Sequence, residues 1–169
     1  MPPRFEDVMR WSAGQLKAAQ ATAVAAWPST VSVDIQGIGR TLFCHATPRN
    51  DTEIFTQDTD EMLLAPVFRD VDASLVVCGH THMQFDRRVG QRRVVNAGSV
   101  GMPFGEAGAY WLLLGPEVQL QRSGYDLAAG AQRVRESGYP LAEEFATQSI
   151  LSPPPADMVR TQYAKVELR

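Results

Sequence analysis

Apolar and polar positions alternate along the 169-residue chain in two periods, and each period names a type of element. VSVDI at 31–35 alternates residue by residue, as a half-buried strand does. Gln36–Gly39 supply a turn and Thr41–Cys44 a second strand, so residues 31–44 are expected as a hairpin. ASLVVC at 73–78 is an unbroken apolar run between Asp72 and Gly79, the pattern of a strand covered on both faces. Phe85–Val89 and Arg93–Asn96 flank Gly90-Gln91 as a tight hairpin, and Gly115-Pro116 splits 109–123 into another strand pair. Residues 11–27 are Ala-rich and read as one helix, with Ser12 as its N-cap and Pro28 as its stop. A helix over 59–69 is expected to break at Pro66. Leu127–Ser137 and Leu141–Thr147 form two more, parted by Gly138-Tyr139-Pro140. Ala46–Asp58 and Ala97–Gly108 are loop-like. The proline run ending at Pro155 divides a domain over 1–152 from a tail over 153–169, amphipathic from Ala156. The sum is an α/β (α+β) domain with an antiparallel-rich sheet.

Composition narrows the function classes. At 44 % hydrophobic and 21 % charged residues the chain is an ordinary globular one, which excludes wholesale disorder. Its net charge is −3 and no basic run exceeds two residues, so long nucleic acid is disfavoured as a partner. No apolar stretch approaches the ~20 residues of a membrane span, and MPPRFEDVMRW lacks the apolar core of a signal peptide; a cytoplasmic location follows by default. Two cysteines, Cys44 and Cys78, are too few for a disulfide framework. Each sits in an apolar run and reads as a small core residue.

The three histidines carry the chemistry. His45 closes one predicted strand, and His80 and His82 follow another; strand ends are where α/β folds present functional side chains. In an extended segment His80 and His82 share one face, with Cα atoms roughly 6–7 Å apart and Thr81 pointing the other way. That spacing lets both reach one metal, or one each of a pair about 3.5–4 Å apart. Imidazole ligands suit Mn, Fe, Zn or Ni better than Ca or Mg. The bland alternative for any single histidine is a solvated surface side chain.

Phe43-Cys44-His45-Ala46-Thr47-Pro48-Arg49-Asn50-Asp51, Cys78-Gly79-His80-Thr81-His82 and Val95-Asn96-Ala97-Gly98-Ser99-Val100-Gly101 together resemble the C-terminal half of calcineurin-like metallophosphoesterases, in particular the small bacterial phosphodiesterase-type branch. The resemblance implies part of a β-sandwich flanked by helices. It also implies a two-metal site in which a bridging carboxylate holds two divalent cations and a bridging hydroxide attacks phosphorus in line. By the same resemblance His45 and His80 ligate one metal and His82 the other, the three rings converging on one cavity. Asn96 and Ser99 stand beside the site, ordering the backbone or the ligands, or belong only to an ordinary Asn-x-Gly-Ser turn; Arg49, Asn50 and Asp51 touch substrate phosphate or serve only as loop residues. Phe104 and Trp111 read as packing.

The chain departs from that pattern in what precedes His45. It has no earlier histidine, no Gly-Asp dipeptide anywhere and no asparagine before Asn50, so the expected Asp-x-His, Gly-Asp and Gly-Asn-His motifs are missing. The expectation is a truncated chain without the N-terminal half of the fold, binding at most one ion and weakly active or inactive alone. The loss of neighbouring strands is expected to leave SLVVC as an apolar edge. Implied partners are a phosphorylated small molecule or nucleotide, a separate N-terminal fragment, or a second copy in a homo-oligomer. The competing reading is a non-catalytic metal-binding or interaction module that keeps a three-histidine site.

Overall fold

The computed structural model describes residues 3–168. Its centre is a five-stranded mixed sheet in the order β1-β2-β3-β5-β4, with β1 Thr30–Ile35, β2 Gly39–Cys44, β3 Leu75–Cys78, β4 Phe85–Val89 and β5 Arg92–Asn96. The β1–β2 and β4–β5 pairs are antiparallel hairpins, whereas β2, β3 and β5 run parallel. Parallel neighbours need a crossover, and α3 (Glu61–Phe68) supplies it between β2 and β3. A second antiparallel pair, β6 Ala109–Leu114 and β7 Val118–Ser123, lies over one face.

The unbroken apolar run is β3, and all four of its residues are buried. Val76 and Cys78 face Leu64, Val67 and Phe68 of α3 together with Phe55 and Phe85. Leu75 and Val77 face the other way, onto Phe43, Val95, Leu112, Leu114 and Val118. Burying each such side chain contributes about 1.5–3 kcal/mol, which makes β3 the anchor of both layers. The expectation of an apolar edge at β3 is therefore corrected: β2 and β5 flank it, and the sheet's edges are β1 and β4. At Gly37 (φ 87°) a Cβ would stand 3.0 Å from the Cα of Pro116, so glycine lets the β1–β2 turn meet the β6–β7 turn.

Three helix expectations change in detail. Residues 11–27 are not one helix: Ser12 lies inside α1 (Pro3–Gly14), and α2 (Ala18–Ala25) begins after a break where the Lys17 N–H donates to Gln20 Oε1 at 2.9 Å. α3 runs through Pro66 to Phe68 without stopping, capped at its start by Asp60 accepting from the Met62 N–H. Proline here leaves only one helical carbonyl without its donor, and that carbonyl belongs to Met62, which is 82 % exposed and within reach of water. The stretch after α4 (Leu127–Arg135) and α5 (Ala142–Phe145) continues as a π-helical turn over Ala146–Leu151.

Residues 154–168 fold back onto the loop that follows β2. α6 (Ala156–Tyr163) buries Val159, Arg160 pairs with Asp58 at 3.0 Å, and the Leu168 N–H donates to the Ile54 carbonyl at 2.8 Å. Among the described residues no helix is long and apolar enough to cross a membrane.

Candidate functional site

Because β2, β3 and β5 are parallel, their C-terminal ends lie on one edge, and the loops 45–58, 79–84 and 97–108 leave from it together. The strand ends are tied by backbone bonds: the Gly79 N–H donates to the His45 carbonyl and the Ala97 N–H to the Cys78 carbonyl, both at 2.9 Å. His45, His80 and His82 thus leave the same edge, although they arrive there differently.

His80 and His82 are not extended. Both have φ of 59°, in the left-handed region, and the Thr81 N–H donates back to the Gly79 carbonyl at 2.6 Å. The shared-face geometry expected of an extended His-x-His does not apply. Left-handed conformations cost non-glycine residues about 1–3 kcal/mol each and persist where surrounding bonds over-determine them. Asn96 does that here. Fully buried, it donates from Nδ2 to the Gly79 carbonyl (2.5 Å) and to Thr81 Oγ1 (3.0 Å), while its Oδ1 accepts from the Gly98 N–H (2.9 Å). Gly98 must be glycine: a Cβ would come within 2.7 Å of Tyr110 and 2.8 Å of Gln84.

His45 and His80 meet. The Nε2 of His45 stands 3.1 Å from the Nδ1 of His80, with ring centroids 5.0 Å apart and planes at 64°. The other nitrogen of His80, Nε2, lies 3.2 Å from the Thr52 carbonyl. A carbonyl only accepts, so His80 carries its proton on Nε2 and its lone pair on Nδ1, facing His45. His82 turns elsewhere: its Nδ1 donates to the Met102 carbonyl at 2.9 Å, and its ring stacks on Phe104 with centroids 6.0 Å apart. That bond leaves the lone pair on Nε2. Ser99 fixes the loop behind it, since its Oγ accepts from the Met102 N–H at 3.0 Å.

Burial favours the neutral form of His80 and of His82. Burial holds His80 below the ordinary histidine value, helped by the neighbouring His45 and partly offset by the Thr52 carbonyl and Asp51. Burial also lowers His82, against the opposing bond to Met102. The thiols point into the sheet: Cys44 Sγ donates to the Ala46 and Val77 carbonyls and Cys78 Sγ to the Val95 carbonyl, and burial pushes Cys44 up to about 12 and raises Cys78 well above its ordinary value.

Of the other expected site residues, Asn50 spends its side chain on the loop, where Oδ1 accepts from the Thr52 N–H (2.6 Å), the Thr52 hydroxyl (2.7 Å) and the Glu53 N–H (3.1 Å). Arg49 forks onto Glu53 with a shortest contact of 2.6 Å, and Glu53 also accepts from Thr47 at 2.6 Å. Burial opposes the charge of Glu53, but the bonds from Arg49 and Thr47 outweigh it and hold its carboxyl below the usual value. Two separate cavities flank the edge. One of about 300 Å³ is lined by Thr30, His45, Arg49 and Asp51, the other of about 190 Å³ by His82, Gln84, Phe104 and Tyr110. His45 lines the first cavity and His82 the second, in place of the one shared cavity expected for the three rings. Sequence reasoning missed Thr52 and Met102, which act through backbone carbonyls that any residue possesses. It also missed Glu53, whose spacing of four from Arg49 was the available signal.

Among the described residues no cluster of three or more His, Cys, Asp or Glu stands close enough to hold an ion. Two metal–nitrogen bonds of about 2.0–2.1 Å meeting near a right angle span about 3 Å, close to the His45–His80 separation. The His45–His80 pair therefore fits two positions of a divalent-metal cradle once the proton between them is displaced, while His82 offers Nε2 separately, toward its own cavity.

The chain belongs to the calcineurin-like phosphoesterase superfamily, whose domain model matches residues 12–115. No curated protein matches the sequence. Among solved structures it is similar to a hypothetical protein of Pyrococcus horikoshii OT3, with a TM-score of 0.74 and 19 % identity over 91 % of this chain and 62 % of that one. It is also similar to a metallophosphoesterase from Sphaerobacter thermophilus, with a TM-score of 0.65 and 23 % identity over 82 % of this chain and 64 % of that one. At such identities the likeness is one of fold, and the chain spans less than two-thirds of the length of either.

Proposed function

We propose that this chain contributes the histidine half of a two-metal phosphoester-hydrolysing site. The observation that carries the reading is the His45–His80 nitrogen pair, 3.1 Å apart at the C-terminal edge of three parallel strands. His45 and His80 hold one ion and His82 the other, the Met102 bond presenting His82 through Nε2. Divalent ions bound there polarise the phosphoryl group and stabilise the charge that develops on its oxygens. Fe, Zn and Ni match the nitrogen donors, and Mn matches a site that carboxylates complete. Asn96 holds the Gly79–Thr81 turn so that the two left-handed histidines keep their placement, and Ser99 does the same for Met102. A phosphorylated small molecule or nucleotide is the substrate class. The carboxylate ligands come from a polypeptide segment outside residues 1–169, a reading supported by the missing Gly-Asp and Asp-x-His motifs and by the greater length of both structural relatives. By itself the chain binds at most one ion and turns over little substrate.

The test combines metal analysis with activity. The chain alone, dialysed against Mn²⁺ or Zn²⁺, is expected to retain up to one ion, lost in His80→Ala. Supplied with a carboxylate-bearing segment taken from a longer relative, it is expected to hydrolyse bis-p-nitrophenyl phosphate with Mn²⁺. Two ions per isolated chain, or no hydrolysis from a complex that holds two, rejects the proposal.

The want of a third clustered ligand among the described residues favours a second reading, a non-catalytic module that binds one ion or a protein partner. It predicts one ion per chain and no turnover under any metal, even in the reconstituted complex.

A further inference from the structure

The two edges of the five-stranded sheet are finished differently. At β4 the outer side is occupied: Arg87 donates to the carbonyls of Thr56, Gln57 and Thr59, and Glu61 accepts from the Gly90 N–H. Among the described residues β1 has nothing comparable. Its packing partner is β2, and Val31 and Val33 are 47 % and 46 % exposed. Exposed edges are ordinarily blunted by lysine, proline or a bulge, and TVSVDI contains none of these. Asp34 is its one charged residue.

We infer that β1 is the interface of a homodimer, in which it pairs antiparallel with β1 of a second copy to give a continuous ten-stranded sheet. The argument for a second copy is self-complementarity. A two-fold axis through Ser32 sets Val31 opposite the partner's Val33 and Thr30 opposite the partner's Asp34. The valines then join in one apolar patch on the sheet face that carries Phe43 and Val77. Each Asp34 carboxylate meets a threonine hydroxyl, and the two carboxylates lie about 13 Å apart, beyond a Debye length at physiological salt. Cross-strand pairs of this kind stabilise by about 0.2–1 kcal/mol each, in addition to the ladder hydrogen bonds. The interface is independent of metal and of phosphoesterase activity. Thr30 also lines the cavity beside His45, so each copy lies along the rim of the other's site.

The test is the mass of the metal-free chain by light scattering and sedimentation velocity at micromolar concentration. Twice 18.6 kDa is expected. Val33→Lys, which sets a charge on the edge, is expected to return the mass to one chain, whereas Met62→Lys on the exposed side of α3 leaves it doubled. Ser32→Cys provides a readout that does not depend on the lysine variant folding. Opposed Cα atoms in an antiparallel pair stand about 4.5–5.5 Å apart, within disulfide range, so mild oxidation is expected to link two copies. Cys78 is buried and Cys44 half-buried, so the wild-type chain oxidised in parallel gives the background that Ser32→Cys must exceed. A monomeric wild-type chain overturns the proposal, as does a dimer in which Ser32→Cys stays unlinked; a wild-type monomer that associates only when another polypeptide is added assigns the edge to that partner instead.

Discussion

His80 faces another imidazole, while His82, two residues on in the same left-handed conformation, faces a carbonyl and a phenyl ring. The backbone strain is the same at both, and what differs is the neighbour each ring is given. His80 is paired with His45 because β2 and β3 are parallel neighbours that end together. His82 is held by the 99–104 loop, so its orientation depends on Ser99 and Met102 and not on the sheet. One half of the site is therefore built on strands and the other on a loop, and damage to each half should show different symptoms.

The largest expected effect is common to both halves. Asn96→Ala removes three hydrogen bonds from a fully buried side chain and releases the Gly79–Thr81 turn, at a cost of about 3 kcal/mol, equivalent to roughly 6–12 °C in Tm for a domain of this size. Thermal unfolding checks it, and a loss below about 1 kcal/mol would mean that the histidine turn stands without Asn96.

The next effect separates the halves. His80→Ala is expected to weaken Mn²⁺ or Zn²⁺ binding by more than about 100-fold, beyond what losing an outer hydrogen-bonding partner does, with little change in Tm. Ser99→Ala is expected to weaken binding of the ion held by His82 in the reconstituted complex by about tenfold and to leave the isolated chain's one ion unaffected. Calorimetric titration reads both, and equal effects in the isolated chain would erase the distinction drawn above.

The smallest effect lies in the loop between the halves. Glu53→Gln is expected to cost about 1 kcal/mol, since Arg49 is half-exposed and solvent screens the pair. The pH dependence gives the sign. Folding lowers the carboxyl of Glu53, so its contribution is complete above the ordinary glutamate value and disappears as pH falls through the lowered one. Urea midpoints of the wild type should decline in acid below about pH 4.5, and the decline should be shallower in Glu53→Gln.

Most of the fold was legible because each element carries a local signal. LVVC is apolar without interruption and lies at the centre, and Gly90-Gln91 marks a hairpin that the structure contains. The split of 11–27 into two helices was hidden, because the alanine-rich stretch of α2 masks a break that is closed by Gln20, itself a good helix former. The order of the strands was hidden as well: nothing in SLVVC says that β2 and β5 will flank it. At the site, residue types pointed to His45, His80 and His82. Their division into a pair and a single ring came from a left-handed turn and two backbone carbonyls, which no side-chain pattern records.

A crystal of the chain soaked in Mn²⁺ or Zn²⁺, with anomalous scattering recorded at the metal edge, addresses the central claim most directly. One peak bonded to His45 Nε2 and His80 Nδ1 is the outcome expected here. A peak at any other position, or an undisturbed His45–His80 hydrogen bond at saturating metal, would contradict it.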